Sequence, residues 1–513
     1  MTGQLYPTLA FHDDESPVSF VSRLARFHGI PSARMFCSDL GLNFRRIVNG
    51  DRKTLATLSY LSGASLSTLL SNAVQSHGGN WRIGQEQLLK SSLIRGAPRV
   101  CLSCLTEDAA ASDLSADIAI YGRTRWLISH IRSCSRHGIA LVTAARPGHS
   151  SETHDFSMIL GACAPELALL ARKVTPLDAS RLESYLLTRL NAVTGGSPWL
   201  DQLEFSAAAR TCELIGAVAN HGRKAKLATL SDKEWHSAGD TGFEIASQGE
   251  SAIRAWLTDL QASYSYNRTA NEGGQATFGK FYEWLALSAK DACFDPVKNL
   301  VRRHIVETTP VGLNDIVFGK SVEKRMLHSV FTASKEFKAH PKRLRKIFVA
   351  TGLVSNDPSK TNNQVLVDAD AAQKLFDDGI INGLSIAEVT TYLNASRLQA
   401  RLLVHTGLIR SAVGGKEGIG AYAFTKSDLD DFLARLLEQT VEVTEPDESV
   451  CSIPMAAKRS RCSAIEIVRL ILDKRLSWVG KLAGETGYQS ILVSAAEIRG
   501  HVRGPAVDGI TAR

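Results

Sequence analysis

Two short pairs of metal-type residues constrain this chain more than anything else in it. Cys101-Leu102-Ser103-Cys104 and Cys134-Ser135-Arg136-His137 stand 29 residues apart. Each pair can present two ligands from one tight turn. Two such knuckles close a tetrahedron of three thiolates and one imidazole, the set that structural Zn2+ prefers. Four protein ligands leave no position for water, which argues for a folding staple and against a catalytic metal. A disulfide reading is weaker, because it leaves an odd thiol. The chain holds only nine cysteines in 513 residues, so matched spacing by coincidence is a poor explanation. The other six (Cys37, Cys163, Cys212, Cys293, Cys451 and Cys462) show no framework spacing and read as free thiols of a reducing cytoplasm.

A chain of this length is expected to form three to five compact units. The net charge of +7 comes from 59 Lys and Arg against 52 Asp and Glu. Spread over the whole length this is mild, so any case for nucleic acid must come from local clusters. No run of 18 apolar residues exists, and the N-terminus lacks a charged start followed by an apolar run. Neither a membrane span nor a secretory signal is expected.

The periodicities predict a mainly α, multidomain fold. Ser16-Pro17 is a helix start, Phe20, Val21, Leu24 and Phe27 share one face, and Gly29-Ile30-Pro31 stops the helix. Residues 32–76 read as short helices broken at Gly41, Gly50 and Gly63. The stretch 55–69 has the shape of a helix-turn-helix. Residues 1–95 are therefore expected to form an N-terminal helical domain, and residues 96–145 a zinc-finger domain.

These landmarks together resemble a known family. Glu15-Ser16-Pro17, Phe20, Arg23-Leu24-Ala25, the turn at Gly63, Arg99 to Asp108, then Tyr121, Arg123 and Trp126, then Cys134 and His137 are similar in order and spacing to the TniQ family of transposition targeting proteins. The resemblance covers residues 5–145. It implies a non-enzymatic protein that selects an insertion site and recruits an AAA+ ATPase, which brings in the transposase. Relatives of the TnsD type add a long C-terminal extension that binds an attachment site. Short relatives ride on an RNA-guided CRISPR effector complex. The long extension here favours the first sort, acting on the bacterial nucleoid in the cytoplasm. An adaptor to an RNA-guided complex and a DNA-binding transcription regulator are the alternatives. A zinc enzyme would need an open metal position or a carboxylate–histidine cluster, and the sequence offers neither.

Residues 160–325 read as a helical middle domain. Leu182, Tyr185, Leu186 and Leu190 make one apolar face, and Phe278, Phe281, Tyr282, Trp284 and Leu285 an aromatic one. At helical spacing both are core, and no motif there carries chemistry. The C-terminal part repeats itself. Three tandem winged helix-turn-helix modules are expected at 326–380, 381–440 and 450–503. In the middle one, Leu408-Ile409 and Tyr422 to Phe424 are expected as wing strands.

The second helices of these modules are the candidate readers of double-stranded DNA. The first carries Lys342, Arg343, Arg345 and Lys346, and the second Arg397, Gln399 and Arg401. Arg and Gln can hydrogen-bond base edges in the major groove. In the third, Ile465, Ile467, Val468, Leu470 and Ile471 make a helix too apolar to read bases. It is expected to pack on protein, leaving Lys458, Arg459 and Arg461 for phosphates.

Overall fold

The computed structural model describes residues 3–161, 163–264, 273–288, 290–413 and 423–503. The chain is mainly helical, as expected, with a few small sheets. It divides into two units, Met1–His304 and Ile305–Arg513. No described helix is long and apolar enough to cross a membrane.

Unit 1 begins with helix α1 (Pro17–Phe27), capped by the Ser16 hydroxyl, which accepts from the Ser19 N–H at 3.2 Å. Its apolar face, Phe20, Val21 and Leu24, is fully buried. The face packs with α2 (Ala33–Asp39), α3 (Phe44–Val48), α4 (Arg52–Ser62) and α5 (Leu66–Ser71) around one core. Gly63 ends α4 at φ +75°, a left-handed cap that costs glycine nothing. A three-stranded antiparallel sheet follows: β1 (Gln75–His77), β2 (Asn80–Ile83) and β3 (Glu86–Leu88).

The stretch that carried no sequence motif supplies a helical layer to the same unit. Its main helices are α7 (Arg181–Leu190), α8 (Phe205–His221), α9 (Asp232–Ala246), α10 (Glu250–Ala262) and α11 (Gly274–Leu287). Between them in sequence and the sheet lies α6 (Leu102–Ala110), which belongs to the metal site. Helices α8 and α9 approach with backbones touching. A Cβ on Gly216 would lie 1.7 Å from the Ala238 carbonyl oxygen, and one on Gly242 1.7 Å from that of Cys212. Only glycine fits at either position.

Unit 2 runs through one element order three times. The first pass is β8 (Leu327–Ser329), α12 (Val330–Glu336), α13 (Pro341–Ala350), β9 (Leu366–Asp368) and α14 (Ala369–Asp377). Strands β8 and β9 pair antiparallel. The second pass reduces the strand pair to a single bridge, Leu384 with Phe424, around α15 (Ile386–Tyr392) and α16 (Arg397–His405), before α17 (Lys426–Leu437). The third is β11 (Val450–Ser452), α18 (Ile453–Ser460), α19 (Ala464–Leu472), β12 (Val479–Leu482), β13 (Ile491–Ser494) and α20 (Ala495–Arg503), with β11 antiparallel to β13. In every pass the strand before the first helix meets the strand before the third.

The expected strand at Leu408-Ile409 does not form. Both of those N–H groups bond back to the Leu403 carbonyl, at 3.0 and 3.1 Å, and close the end of α16 instead. Tyr422 and the glycine-rich turn before it lie outside the described residues.

The second and third passes are fused. The segment joining them forms β10 (Thr440–Val443), which adds parallel to β12 and widens the third pass to a four-stranded sheet ordered β10-β12-β13-β11. One core runs through both, from Val389 and Leu403 to Ile467, Val468 and Ile498. Gly487, at φ +67°, lets the β12–β13 loop press on the end of α15, where the Tyr488 N–H donates to the Leu393 carbonyl at 2.7 Å. A Cβ there would lie 2.4 Å from that same oxygen. The first pass keeps its own core around Val330, Leu344 and Phe348.

Candidate metal centre and nucleic-acid interface

The first knuckle is built by a strand running into a helix. β4 (Arg99–Val100) leads to Cys101, which caps α6, and Cys101 Sγ accepts the Cys104 N–H at 3.4 Å. The second is a tight hairpin of β5 (Ser133–Cys134) and β6 (Ile139–Ala140). The Cys134 carbonyl accepts the N–H groups of His137 and Gly138 at 3.2 and 2.9 Å. Gly138 completes the turn at φ +59°, where a Cβ would lie 2.6 Å from Asp178 Oδ1. β7 (Val142–Thr143) then returns alongside β4.

The four side chains converge, with ligand atoms within 4.8 Å of one another. His137 Nδ1 lies 3.3, 3.5 and 3.6 Å from the sulfurs of Cys104, Cys101 and Cys134, and Cys104 Sγ lies 3.7 Å from Cys134 Sγ. Bonds of about 2.3 Å to sulfur and 2.05 Å to nitrogen give tetrahedral edges of about 3.8 Å between sulfurs and about 3.5 Å between sulfur and nitrogen. The three sulfur–nitrogen edges and the Cys104–Cys134 edge fall near those values. A disulfide needs about 2.05 Å, so the cysteines are free thiols. The sulfurs are buried and crowded. Their mutual contacts push the Cys104 thiol up and the Cys134 thiol down, as expected of neighbours that cannot all lose a proton without a cation between them.

The outer shell fixes the histidine. His137 Nε2 meets Glu107 Oε1 at 2.9 Å, and Glu107 also pairs with Arg136 at 2.7 Å. The bond to Glu107 holds that carboxyl below its usual range. A carboxylate on the outer nitrogen directs the inner one at the ligand position. These four residues can hold a metal ion.

The remaining landmarks brace this site. Arg123 forms a two-pronged pair with Asp108 on α6 at 2.9 and 3.0 Å, and its guanidinium stacks on Tyr121 and Trp126 at 4.1 and 4.8 Å. Arg23 on α1 pairs with Glu15 at 2.8 Å, both buried. Burial pushes Glu15 up to about 7 against the pull of Arg23. Two partners from the helical layer went unforeseen. Glu183 on α7 accepts the N–H groups of Arg132 and Ser133, and Glu213 on α8 meets Arg132 at 2.7 Å and His130 at 2.9 Å. Glu183 holds the strand that carries Cys134, and Glu213 the segment that leads into it. The signal in sequence was slight: two glutamates on otherwise apolar helical faces.

Residues 7–141 match the family model described as TniQ. The chain carries a TniQ domain. The match spans about a quarter of the chain and encloses both knuckles. TniQ proteins are associated with transposition, as a DNA-binding and adaptor family and not a known enzyme family. DNA and the transposition machinery are the partners that family implies. No curated protein matches the chain.

Beyond the TniQ domain, the candidate DNA-contacting residues divide sharply. Lys342 and Lys346 on α13 are exposed, and so are Arg397 and Arg401 on α16, Lys458 on α18 and Arg461 at its end. Arg343 instead donates to the Gly383 carbonyl, and Arg345 to the carbonyls of Lys360, at 2.7 Å, and Asp357. Arg459 reaches the Glu448 carbonyl at 3.3 Å. Gln399 is buried, and its Oε1 accepts from the Ser396 N–H and hydroxyl at 3.2 and 3.0 Å, closing a capping box at the start of α16. Its amide therefore serves the helix. The neighbour that sequence reasoning passed over is Leu398, 69% exposed between Arg397 and Arg401, with Leu402 also exposed one turn on. In the third pass Ile465, Ile467, Val468, Leu470 and Ile471 are all buried, so α19 packs on protein.

Proposed function

We propose that this protein selects the insertion site of a transposon. The repeating passes of unit 2 bind double-stranded DNA of a particular sequence as winged helix-turn-helix modules, and the TniQ domain recruits an AAA+ ATPase that brings in the transposase. The observation that carries this reading is the thrice-repeated strand–helix–helix–strand–helix order in a chain that also carries a TniQ domain. Helices α13 and α16 supply exposed cations with no ion pair of their own among the described residues: Lys342, Lys346, Arg397 and Arg401. A buried α19 leaves the third pass a bracing role, with Lys458 and Arg461 on phosphates.

The metal in this reading is Zn2+, held by Cys101, Cys104, Cys134 and His137. The soft donor set and the closed tetrahedral edges suit it. Its role is structural: it ties β4 and α6 to the β5–β6 hairpin.

Footprinting of the full chain on candidate attachment DNA tests the reading. Protection confined to one locus, in the absence of any guide RNA, supports it. Loss of that locus with Arg397→Ala/Arg401→Ala, while bulk DNA is still bound, is the expected result for base readers. Uniform protection of unrelated DNA, unchanged by the double substitution, sinks it.

A further inference from the structure

Helix α16 carries an apolar strip that its own core leaves uncovered. Leu398 is 69% exposed and Leu402, one turn on, 38%. Neither joins the core to which α16 gives Ala400, Leu403 and Val404. A single exposed leucine is ordinary on a protein surface. Among the described residues, however, no other helix exposes two large apolar side chains.

The strip lies beside cations. The helix reads Arg397-Leu398-Gln399-Ala400-Arg401-Leu402-Leu403-Val404-His405 and contains no acid. Arg397, Leu398, Arg401, Leu402 and His405 are its exposed residues. At helical spacing the two arginines and the two leucines share one face. The three passes differ at this place. The second residue after the cap is exposed Lys342 in α13, exposed Leu398 in α16, and Ile465, 7% exposed, in α19. An apolar side chain at that position is core in the third pass and faces solvent in the second.

Duplex DNA offers a matching surface. The major groove admits an α-helix, and thymine 5-methyl groups stand on its floor among the hydrogen-bonding edges. Phosphates line its walls. In a helix-turn-helix, the first residues of the second helix are those that meet base edges. The arginines favour this occupant over an apolar protein face, because desolvating a guanidinium without an anion beside it is costly.

We propose that Leu398 is a specificity-determining residue of the second pass, packing on a thymine 5-methyl group in the major groove, with Leu402 extending the apolar contact along the groove. The inference rests on the reading of unit 2 as a sequence-specific DNA binder. It adds which base the α16 surface prefers and by what contact. Removing the methyl alone tests this contact and leaves the hydrogen bonds open to Arg397 and Arg401 in place.

The test uses the full chain and the site it selects from a pool of random duplexes. Each thymine of that site is replaced in turn by deoxyuridine, which lacks the 5-methyl and keeps the base pair. At the thymine under Leu398, binding should weaken about fourfold, the worth of one buried methyl. Leu398→Ala should bind the thymine and deoxyuridine duplexes alike, and Leu398→Met should restore the difference. All three chains should melt together, because the side chain is exposed. Deoxyuridine without effect at every position, or a selected site without thymine, overturns the inference and leaves the DNA reading standing. A methyl effect undiminished in Leu398→Ala overturns it as well, since another residue then reads the methyl. If that variant also sediments as a monomer where the natural chain is a dimer, the strip belongs to a contact between copies. A chain that selects no sequence at all overturns both readings.

Discussion

The metal block of unit 1 and the fused second and third passes of unit 2 are held by opposite physics. Around the knuckles the interior is charged: Arg23 with Glu15, Arg123 with Asp108, Arg132 and His130 with Glu213. The fused passes are held by an apolar core from Val389 to Ile498, with their cations at the surface. Where arginines serve the interior, sequence cannot tell a structural cation from a binding one. Where an apolar core does the holding, exposed cations are free for a partner. Arg123 is spent inside the fold on Asp108, whereas Arg397 is exposed.

The contrast breaks most visibly at the metal. Stripping it with a chelator, or Cys104→Ser, removes a staple worth about 10–16 kcal/mol in isolated fingers. The expected outcome is protease cleavage within residues 96–145 and loss of bound metal by elemental analysis, with the fused passes of unit 2 still folded. An unchanged cleavage pattern in chelator would mean that the charged interior suffices without a metal.

Next comes Glu213. Its removal strands Arg132 and His130 in the interior, so Glu213→Ala should cost about 3–5 kcal/mol. Burial alone would push this carboxyl up. His130, Arg132 and Arg210 outweigh it and hold it well below the usual range. A carboxylate with a depressed folded-state value contributes stability above its unfolded value near 4.3, lost as pH falls through the folded one. Denaturation curves of Glu213→Gln and of the natural chain should therefore converge toward acid and diverge toward neutral pH. Parallel curves would remove Glu213 from the account. Glu15 runs the other way: raised to about 7, it weighs against folding above that pH, and the penalty eases from about 7 down toward 4.5.

A smaller effect is expected in the apolar region. Ile467 is fully buried in the core shared by the second and third passes. Ile467→Ala should cost about 2–5 kcal/mol. Because β10 and the core join the two passes, hydrogen exchange should speed up in α16 and in α19 together. Exchange confined to α19 would show two modules that merely touch.

The convergence of Cys101, Cys104, Cys134 and His137 was legible in the sequence, because Cys and His are rare and their spacing stands out. The first helix start was legible for a related reason: Ser16-Pro17 is a local capping signal, and the cap forms where it stands. The fusion of two passes was not legible. It depends on β10, four residues whose pairing partner lies some forty positions on. Glu183 and Glu213 stayed hidden because a buried glutamate and a solvated one look alike in sequence. The middle helices gave no motif because their contribution is shape, as at Gly216 and Gly242.

The finest form of the comparison sits inside one helix. Arg401 and Gln399 are two residues apart on α16 and both are chemically able to read a base. Gln399 is turned inward to cap the helix, and Arg401 outward to solvent. Gln399→Ala should cost about 1 kcal/mol in stability, the usual worth of a cap, and leave base preference unchanged. Arg401→Ala should change stability by about 0.5 kcal/mol or less and relax preference at one base pair, by about 1–3 kcal/mol of discrimination. Chemical denaturation beside a binding selection from random duplexes separates the two columns. If Gln399→Ala shifts the selected sequence while leaving the denaturation midpoint in place, the cap opens on DNA and its amide turns out to the groove. The division between interior and reading residues would then hold for the free protein alone.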